Sequence, residues 1–138
     1  MPKLIRQSVT LPASAAQLYA MYLDPKAHAA FTGGKVKVSA RRGSKFSAFD
    51  GALSGSMLHT VPGRLIVQSW RSTAFRVGDV DSTLIILFTP KGKACRIDLT
   101  HVNVADHDEK GVTEGWKKYY WGPWRAYLAQ TAKGGKRK

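Results

Sequence analysis

The sequence predicts an α+β fold in which a curved antiparallel sheet is combined with helices. Two short segments near the start and one long segment near the end have helical spacing of apolar residues. Between them, residues 35–103 contain six short runs rich in β-branched and aromatic residues, separated by glycine, proline and charged residues. Runs of this length and regular spacing are typical of an antiparallel meander.

One strand and two helices are predicted before the meander. Residues 4–12 are rich in β-branched side chains and end at a proline, which indicates a first strand. Residues 14–24 have apolar side chains at helical spacing, and Ser14 is a suitable N-cap. A second, short helix is expected over residues 25–31, because two glycines follow it.

Glycine residues mark the turns and one bend of the meander. Asp50-Gly51 suits a two-residue hairpin, because both central residues of that turn need positive φ. Pro62-Gly63 suits the next turn, and Gly55, inside a strand, predicts a bulge or a close backbone approach that curves the sheet. The six predicted strands are residues 35–40, 45–49, 52–61, 64–70, 82–89 and 94–102.

The longest helical segment covers residues 113–132. Its cations lie mainly on one face, and a kink is expected at Gly122-Pro123, because proline removes a backbone donor and crowds the preceding turn. Aromatic residues recur every three to four positions on the other face, together with Pro123: Trp116, Tyr119, Tyr120 and Tyr127.

Length and composition predict one globular domain. The 138 residues are 43% hydrophobic, which suffices for one core, and we expect residues 1–132 to form it. The sequence has no apolar run long enough for a membrane span and no apolar stretch of a secretory signal near its start. We therefore expect a cytoplasmic protein. Cys95 lies in a strand-like run and is expected to be a buried thiol.

The charge is strongly positive. The sequence has 22 Lys and Arg against 9 Asp and Glu, a net charge of +13, which favours anionic partners. Residues 133–138 hold four cations and two glycines, and we expect a disordered basic tail. Nucleic-acid binding is one alternative, but the aromatic residues that could stack on bases lie on the predicted core face of the last helix, which disfavours it.

Several motifs in fixed order identify a family resemblance. The sequence resembles the Hsp90-ATPase-activator-homologue group of the START-like superfamily, also called Bet v 1-like or SRPBCC, over roughly residues 3–130. The resemblance implies a helix-grip fold, in which a strongly bent sheet wraps the C-terminal helix and leaves a cavity. After "LTH" this chain departs from its relatives, so the loop before the last helix is expected to differ. The motifs are "FTGG", "FSAFDGALSGSML", "PGRLIVQSWRS", "DVDSTLIILF", "LTH" and "EGWKKYYWGPW".

Catalytic and metal-binding patterns are weak. His59 could act as a general base, because imidazole titrates near neutrality, but a strand histidine is more often a wall or surface residue. The acidic stretch 106–109 has adjacent ligand atoms that cannot all face one ion, so a solvated loop is expected. Arg71 and Asp81 suit an ion pair that fixes sheet geometry. We expect no catalytic residue, metal or cofactor.

The first functional hypothesis is a non-enzymatic protein that binds a small hydrophobic or amphipathic molecule between the sheet and the last helix. The resemblance implies an alternative, an interaction module for an Hsp90-type chaperone. A polyketide cyclase-like enzyme and nucleic-acid binding are lesser alternatives, and we expect a monomer or homodimer. The kink at Pro123 is the expected mouth of the pocket. The predicted pocket walls are Phe49, Met57, His59, Trp70, Trp116, Tyr120 and Trp124.

Overall fold

The computed structural model describes residues 3–136 and contains one sheet with helices packed against it. None of the helices within these residues has the length and hydrophobicity that crossing a membrane requires. The elements, in chain order, are β1 (Lys3–Leu11), α1 (Ala15–Leu23), α2 (Pro25–Thr32), β2 (Val36–Lys37), β3 (Lys45–Ala48), β4 (Leu53–Val61), β5 (Leu65–Ser72), β6 (Ser82–Lys91), β7 (Ala94–Val104), a 3₁₀ turn (Asp106–Asp108), α3 (Glu109–Gly115), a π-helical turn (Trp116–Trp121) and α4 (Gly122–Lys136).

The seven strands form an antiparallel sheet in the order β1-β7-β6-β5-β4-β3-β2. The meander predicted over residues 35–103 is therefore confirmed, and β1 pairs with the last strand. Along β5 and β6 buried residues alternate with half-buried or exposed ones, so one face of the sheet forms the core and the other faces solvent. The helices pack on the core face, as the helix-grip fold requires.

Local capping groups set the ends of the two short helices. The Ser14 hydroxyl accepts a hydrogen bond from the backbone N–H of Gln17 at 3.1 Å, which confirms it as the N-cap of α1. The Asp24 carboxyl caps α2 by accepting from Lys26 N–H at 3.2 Å. Gly33 ends α2 in the left-handed region, with φ of 83°.

The turn at Asp50-Gly51 is longer than predicted. Both residues have positive φ, as expected, but Phe49 does as well, with φ of 51°. The last paired residues are Ala48 and Leu53, so four residues connect the strands instead of two. At Pro62-Gly63 the prediction holds: the N–H of residue 64 donates to the carbonyl of residue 61 at 2.9 Å, and Gly63 has φ of 71°.

Gly55 makes the close backbone approach that its place in a strand predicts. A Cβ at this position would lie 1.9 Å from the carbonyl oxygen of Ser69 and 2.7 Å from the ring of Phe46. The bulge itself lies three residues further on, because the register between β4 and β5 shifts between Met57 and His59. Both features distort this part of the sheet.

Strand β7 extends past the "LTH" motif. The strand continues to Val104, and the register between β1 and β7 shifts near its end. Asn103 has positive φ of 61°, in the region that asparagine tolerates better than most residues. The acidic stretch that follows, predicted as a solvated loop, forms the 3₁₀ turn instead.

The last helical segment is continuous but not uniform. It contains a π-helical turn between α3 and α4, in which Gly122 N–H donates to the carbonyl of Lys117, five residues back. Proline cannot donate a backbone hydrogen bond, and a wider turn before Pro123 accommodates that loss, so the predicted irregularity takes this form. The structure places residues 133–136 of the predicted disordered tail in α4, and residues 137 and 138 lie outside the described residues.

Candidate functional site

An apolar cavity of about 460 Å³ lies between the sheet and the last helical segment. The β3–β4 loop, the end of β5 and the helical segment from residue 108 to residue 120 form its walls. Its polar side chains include Ser72 and Asp108, which are in contact at 3.3 Å between the hydroxyl and a carboxylate oxygen. The lining residues are Phe49, Ala52, Leu53, Trp70, Ser72, Ala74, Asp108, Gly111, Val112, Gly115, Trp116, Tyr119 and Tyr120.

A buried hydrogen-bond chain positions the two tryptophans of the cavity wall. Trp116 Nε1–H donates to His101 Nδ1 at 3.2 Å, so that nitrogen carries no proton. His101 Nε2–H then donates to the Ser82 hydroxyl at 2.8 Å, and this hydroxyl donates to the backbone carbonyl of Trp70 at 2.7 Å. These hydrogen bonds connect the last helical segment with β5, β6 and β7, and they fix the tautomer of the His101 imidazole.

A second buried histidine positions Tyr120. His28 Nδ1 donates to the backbone carbonyl of Tyr22 at 2.8 Å, which leaves Nε2 as the acceptor for the Tyr120 hydroxyl at 2.9 Å. The Tyr22 hydroxyl in turn donates to Gln68 Oε1 at 2.9 Å. These contacts join α1 and α2 to the last helical segment and the sheet, so hydrogen bonds connect the cavity wall at Tyr120 to three other elements.

Burial keeps both histidines neutral. It lowers the pKa of His28 to about 4, against a smaller opposing effect of the hydrogen bond to Tyr22, and it lowers the pKa of His101 to about 3. Burial also raises the pKa values of the Tyr22 and Tyr120 hydroxyls. The groups behind the cavity wall are therefore uncharged at neutral pH, which suits an apolar interior.

Gln7 fastens the last helical segment to β1. Its side-chain N–H donates to the carbonyl of Thr113 at 2.9 Å, and its side-chain oxygen accepts from Trp121 Nε1–H at 2.7 Å. Trp121 is buried and stacks near Trp116, with ring centroids 5.6 Å apart. Sequence analysis missed both residues, because Gln7 reads as an exposed strand position and Trp121 lies off the predicted aromatic face.

Arg71 holds the loop beside the cavity. It forms the predicted ion pair with Asp81, at 3.1 Å, and donates to the backbone carbonyls of Asp79 and Arg76. His107 of the 3₁₀ turn contacts the Asp79 carboxylate at 2.7 Å and holds its pKa below the usual value. Among the described side chains, no group of three or more His, Cys, Asp or Glu could hold a metal ion.

Four of the seven predicted wall residues lie at the cavity: Phe49, Trp70, Trp116 and Tyr120. Trp124 and Met57 are buried in the core instead, and His59 is exposed on the outer face of the sheet. The bulge in β4 explains the separation of Met57 and His59, because the extra residue places them on opposite faces although they are two positions apart.

Two further expectations about the helix require correction. Pro123 is absent from the cavity walls, so the mouth lies about two to three turns earlier, near Gly111 and Gly115. Tyr119 belongs to the predicted aromatic core face but is 48% exposed at the cavity rim. The extra residue in the π-helical turn changes the side-chain positions from those of a regular α-helix.

The fold and the cavity define a START-like helix-grip protein. The chain belongs to the family described as "Activator of Hsp90 ATPase homolog 1-like protein", whose pattern it matches over residues 12–129. It is 28% identical over 111 residues to the human protein "Activator of 90 kDa heat shock protein ATPase homolog 1". That match covers 80% of this chain and 32% of the human protein, so the chain spans about a third of its relative.

Solved structures show the same fold. A Plasmodium falciparum protein described as an HSP90 activator superposes with a TM-score of 0.83 and 19% identity, covering 91% of this chain and 96% of that one. A Chromobacterium violaceum protein gives a TM-score of 0.68 and 27% identity, covering 86% and 92%. A Colwellia psychrerythraea protein, described as an Aha1 dimer, gives a TM-score of 0.71 and 11% identity, covering 85% and 90%.

Proposed function

We propose that this protein binds an Hsp90-type chaperone and stimulates its ATPase. Family membership over residues 12–129 supports the proposal. The observation that carries it is the likeness to the Plasmodium protein described as an HSP90 activator, of which 96% is covered. The Plasmodium chain is covered almost completely by this fold and is described as an HSP90 activator, whereas the human relative is about three times as long as the matched region.

A direct binding measurement tests this proposal. The purified protein is mixed with the Hsp90-type chaperone of its own source organism, with and without ATP, and complex formation is followed by sedimentation velocity. We expect a complex whose affinity depends on nucleotide, because an activator must bind the chaperone states of its ATPase cycle unequally. Failure to form a complex under any nucleotide condition would contradict the proposal.

The second candidate function is binding of a small amphipathic molecule. The observation that favours it is the cavity of about 460 Å³, a volume within the usual range of ligand sites, whose mostly apolar walls include Ser72 and Asp108. An apolar body would lie against Trp70 and Trp116. A polar end would reach the carboxylate of Asp108.

Native mass spectrometry and thermal-shift screening against lipids, aromatic compounds and polyketides test the second candidate. We expect a ligand that raises the melting temperature and is lost when Ala52 is replaced by Phe, since that side chain projects into the cavity. The matched control is Ala126→Phe at an exposed helix position. If the screened compounds leave the wild type unchanged and a crystal structure shows the cavity filled by side chains, this function is excluded.

A further inference from the structure

The outer face of the sheet, opposite the helices, carries mainly positive charge. The strands carry a single carboxylate, Asp98, although the chain contains nine. Arg96 pairs with that carboxylate at 3.0 Å and offsets its charge. Six strand cations lie on this outer face and are exposed or half-buried, whereas Lys3 pairs with the buried Val104 and lies on the other side. The six are Arg6, Lys37, Lys45, Arg71, Lys91 and Arg96.

An aliphatic patch occupies the centre of this face. Val61, Leu65 and Leu87 are directly paired across β4, β5 and β6, and Val67 pairs with Ile85 in the neighbouring row. Val61 is 39% exposed and Leu87 40%, and the other three are half-buried. A shallow groove of about 510 Å³ runs beside the patch, and its lining includes Leu65, Ile85 and Leu87 together with Arg6 and Asp98.

The remaining carboxylates lie elsewhere. Six of them fall in residues 79–81 and 106–114, two segments that the 2.7 Å contact between His107 and Asp79 joins near the cavity mouth. The strands are therefore almost free of negative charge, while the segments at the cavity end hold six carboxylates and a single lysine, Lys110. An acidic partner would be attracted to the sheet and turned away from the cavity end.

The composition of the face distinguishes a protein partner from a nucleic acid. Single-stranded nucleic acids are bound by cations together with exposed aromatic rings on which bases stack. In the strands, the aromatic residues are Phe46, Trp70 and Phe88, and all three are buried on the helix side. Cations around exposed aliphatic side chains instead match an acidic protein surface with an apolar centre.

We propose that the outer sheet face, defined by its strand cations and the patch of Val61, Leu65, Val67, Ile85 and Leu87, is the docking surface for an acidic protein surface with exposed aliphatic side chains. The proposal rests on the proposed function, because it assigns this face to the contact with the chaperone. The cavity, at the other side of the sheet, stays free in such a complex.

Charge reversal on the two sides of the molecule tests the assignment. The double variant Arg6→Glu, Lys91→Glu changes the sheet face, and its matched control, Lys26→Glu, Lys117→Glu, removes the same charge from exposed helix positions. We expect the sheet variant to bind the chaperone about tenfold more weakly at low salt and the control to stay within about twofold. If both double variants lost the same affinity for the chaperone, or neither lost any, the assignment of the sheet face would be wrong.

A second measurement separates this assignment from the chaperone proposal. An acidic peptide of alternating Glu and Leu is titrated into the protein, and amide NMR shifts are expected at Val67 and Ile85. If the wild type fails to bind the chaperone but the peptide shifts these residues, the proposed function fails and the docking surface stands. If the chaperone binds but the peptide-induced shifts map to the helices, the proposed function stands and the docking surface on the sheet is wrong. Tighter binding of a single-stranded oligonucleotide to this face would overturn the protein-partner assignment.

Discussion

The indole N–H of Trp116 donates a hydrogen bond to His101 Nδ1 at 3.2 Å and thereby ties the last helical segment to the central strands. Both residues are buried, and the other imidazole nitrogen is engaged by Ser82. One contact therefore determines the position of a cavity wall residue and the tautomer of a histidine behind it.

Replacement of Trp116 by Phe tests the importance of this contact. Phenylalanine keeps an aromatic ring but leaves His101 Nδ1 buried without a donor, and we expect a loss of about 1–3 kcal/mol of unfolding free energy. Urea denaturation measures it. Tyr119→Phe, which removes an exposed hydroxyl, is the control and should change stability by less than about 0.5 kcal/mol. Equal effects of the two substitutions would show that the hydrogen bond is unimportant.

Because two histidines are buried, we expect the free energy of unfolding to decrease as the pH is lowered. Their folded-state pKa values, about 4 for His28 and about 3 for His101, lie below the unfolded value of 6.5. Between these limits the unfolded chain binds more protons, so the unfolding free energy decreases as pH falls, by about 1.4 kcal/mol per pH unit for each histidine.

Urea titrations between about pH 7 and about pH 5 measure this slope, which is fully developed only below the unfolded pKa. His101→Gln removes one of the two titrating groups and should leave about half of the slope. A wild-type stability that does not change over this range, or a slope that the substitution leaves intact, is incompatible with two neutral buried imidazoles.

Any side chain at position 55 is expected to destabilise the fold. A Cβ would lie 1.9 Å from the Ser69 carbonyl oxygen, a backbone atom that cannot move without disturbing the β4–β5 pairing. We expect Gly55→Ala to cost about 3 kcal/mol or more, at the upper end of the usual cost of overpacking. Gly78→Ala, where a Cβ meets open space, is the control and should be nearly neutral. Folded, equally stable Gly55→Ala protein would refute the close approach.

Gly115 offers a substitution with opposite effects on stability and on the cavity. It has helical φ and ψ, and its added Cβ would make an ordinary contact of 3.7 Å with the Tyr119 ring. Gly115→Ala should therefore stabilise the helix by about 0.5–1 kcal/mol. The same methyl group narrows the cavity, so ligand affinity should fall while the melting temperature of the free protein rises. If ligand affinity and melting temperature both increased, the ligand would have to bind outside this cavity.

The strands and the turns could be predicted because the residues that determine them are local. Asp50-Gly51 and Pro62-Gly63 supply the backbone conformations of their turns, and Gly55 marks a close approach through its missing side chain. The loop at Asp50-Gly51 was predicted two residues too short, because Phe49 also adopts positive φ, which bulky residues do rarely.

The interior polar groups could not be predicted, since their partners lie far away in the sequence. His28 and His101 acquire their roles from Tyr120 and Trp116 on the last helical segment. The sequence instead drew attention to His59, and the β4 bulge moved that residue to the solvent face. A one-residue register shift leaves no clear mark on residue type, so strand alternation placed Met57 and His59 on the same face, whereas the structure separates them.

The most direct test of the account is the ATPase rate of the Hsp90-type chaperone as a function of the concentration of this protein. We expect a saturable, several-fold increase in the ATPase rate that is abolished by a chaperone-specific ATP-site inhibitor and weakened by the double variant Arg6→Glu, Lys91→Glu. A turnover rate that stays at the level of the chaperone alone, at concentrations that saturate any measured binding, would contradict it.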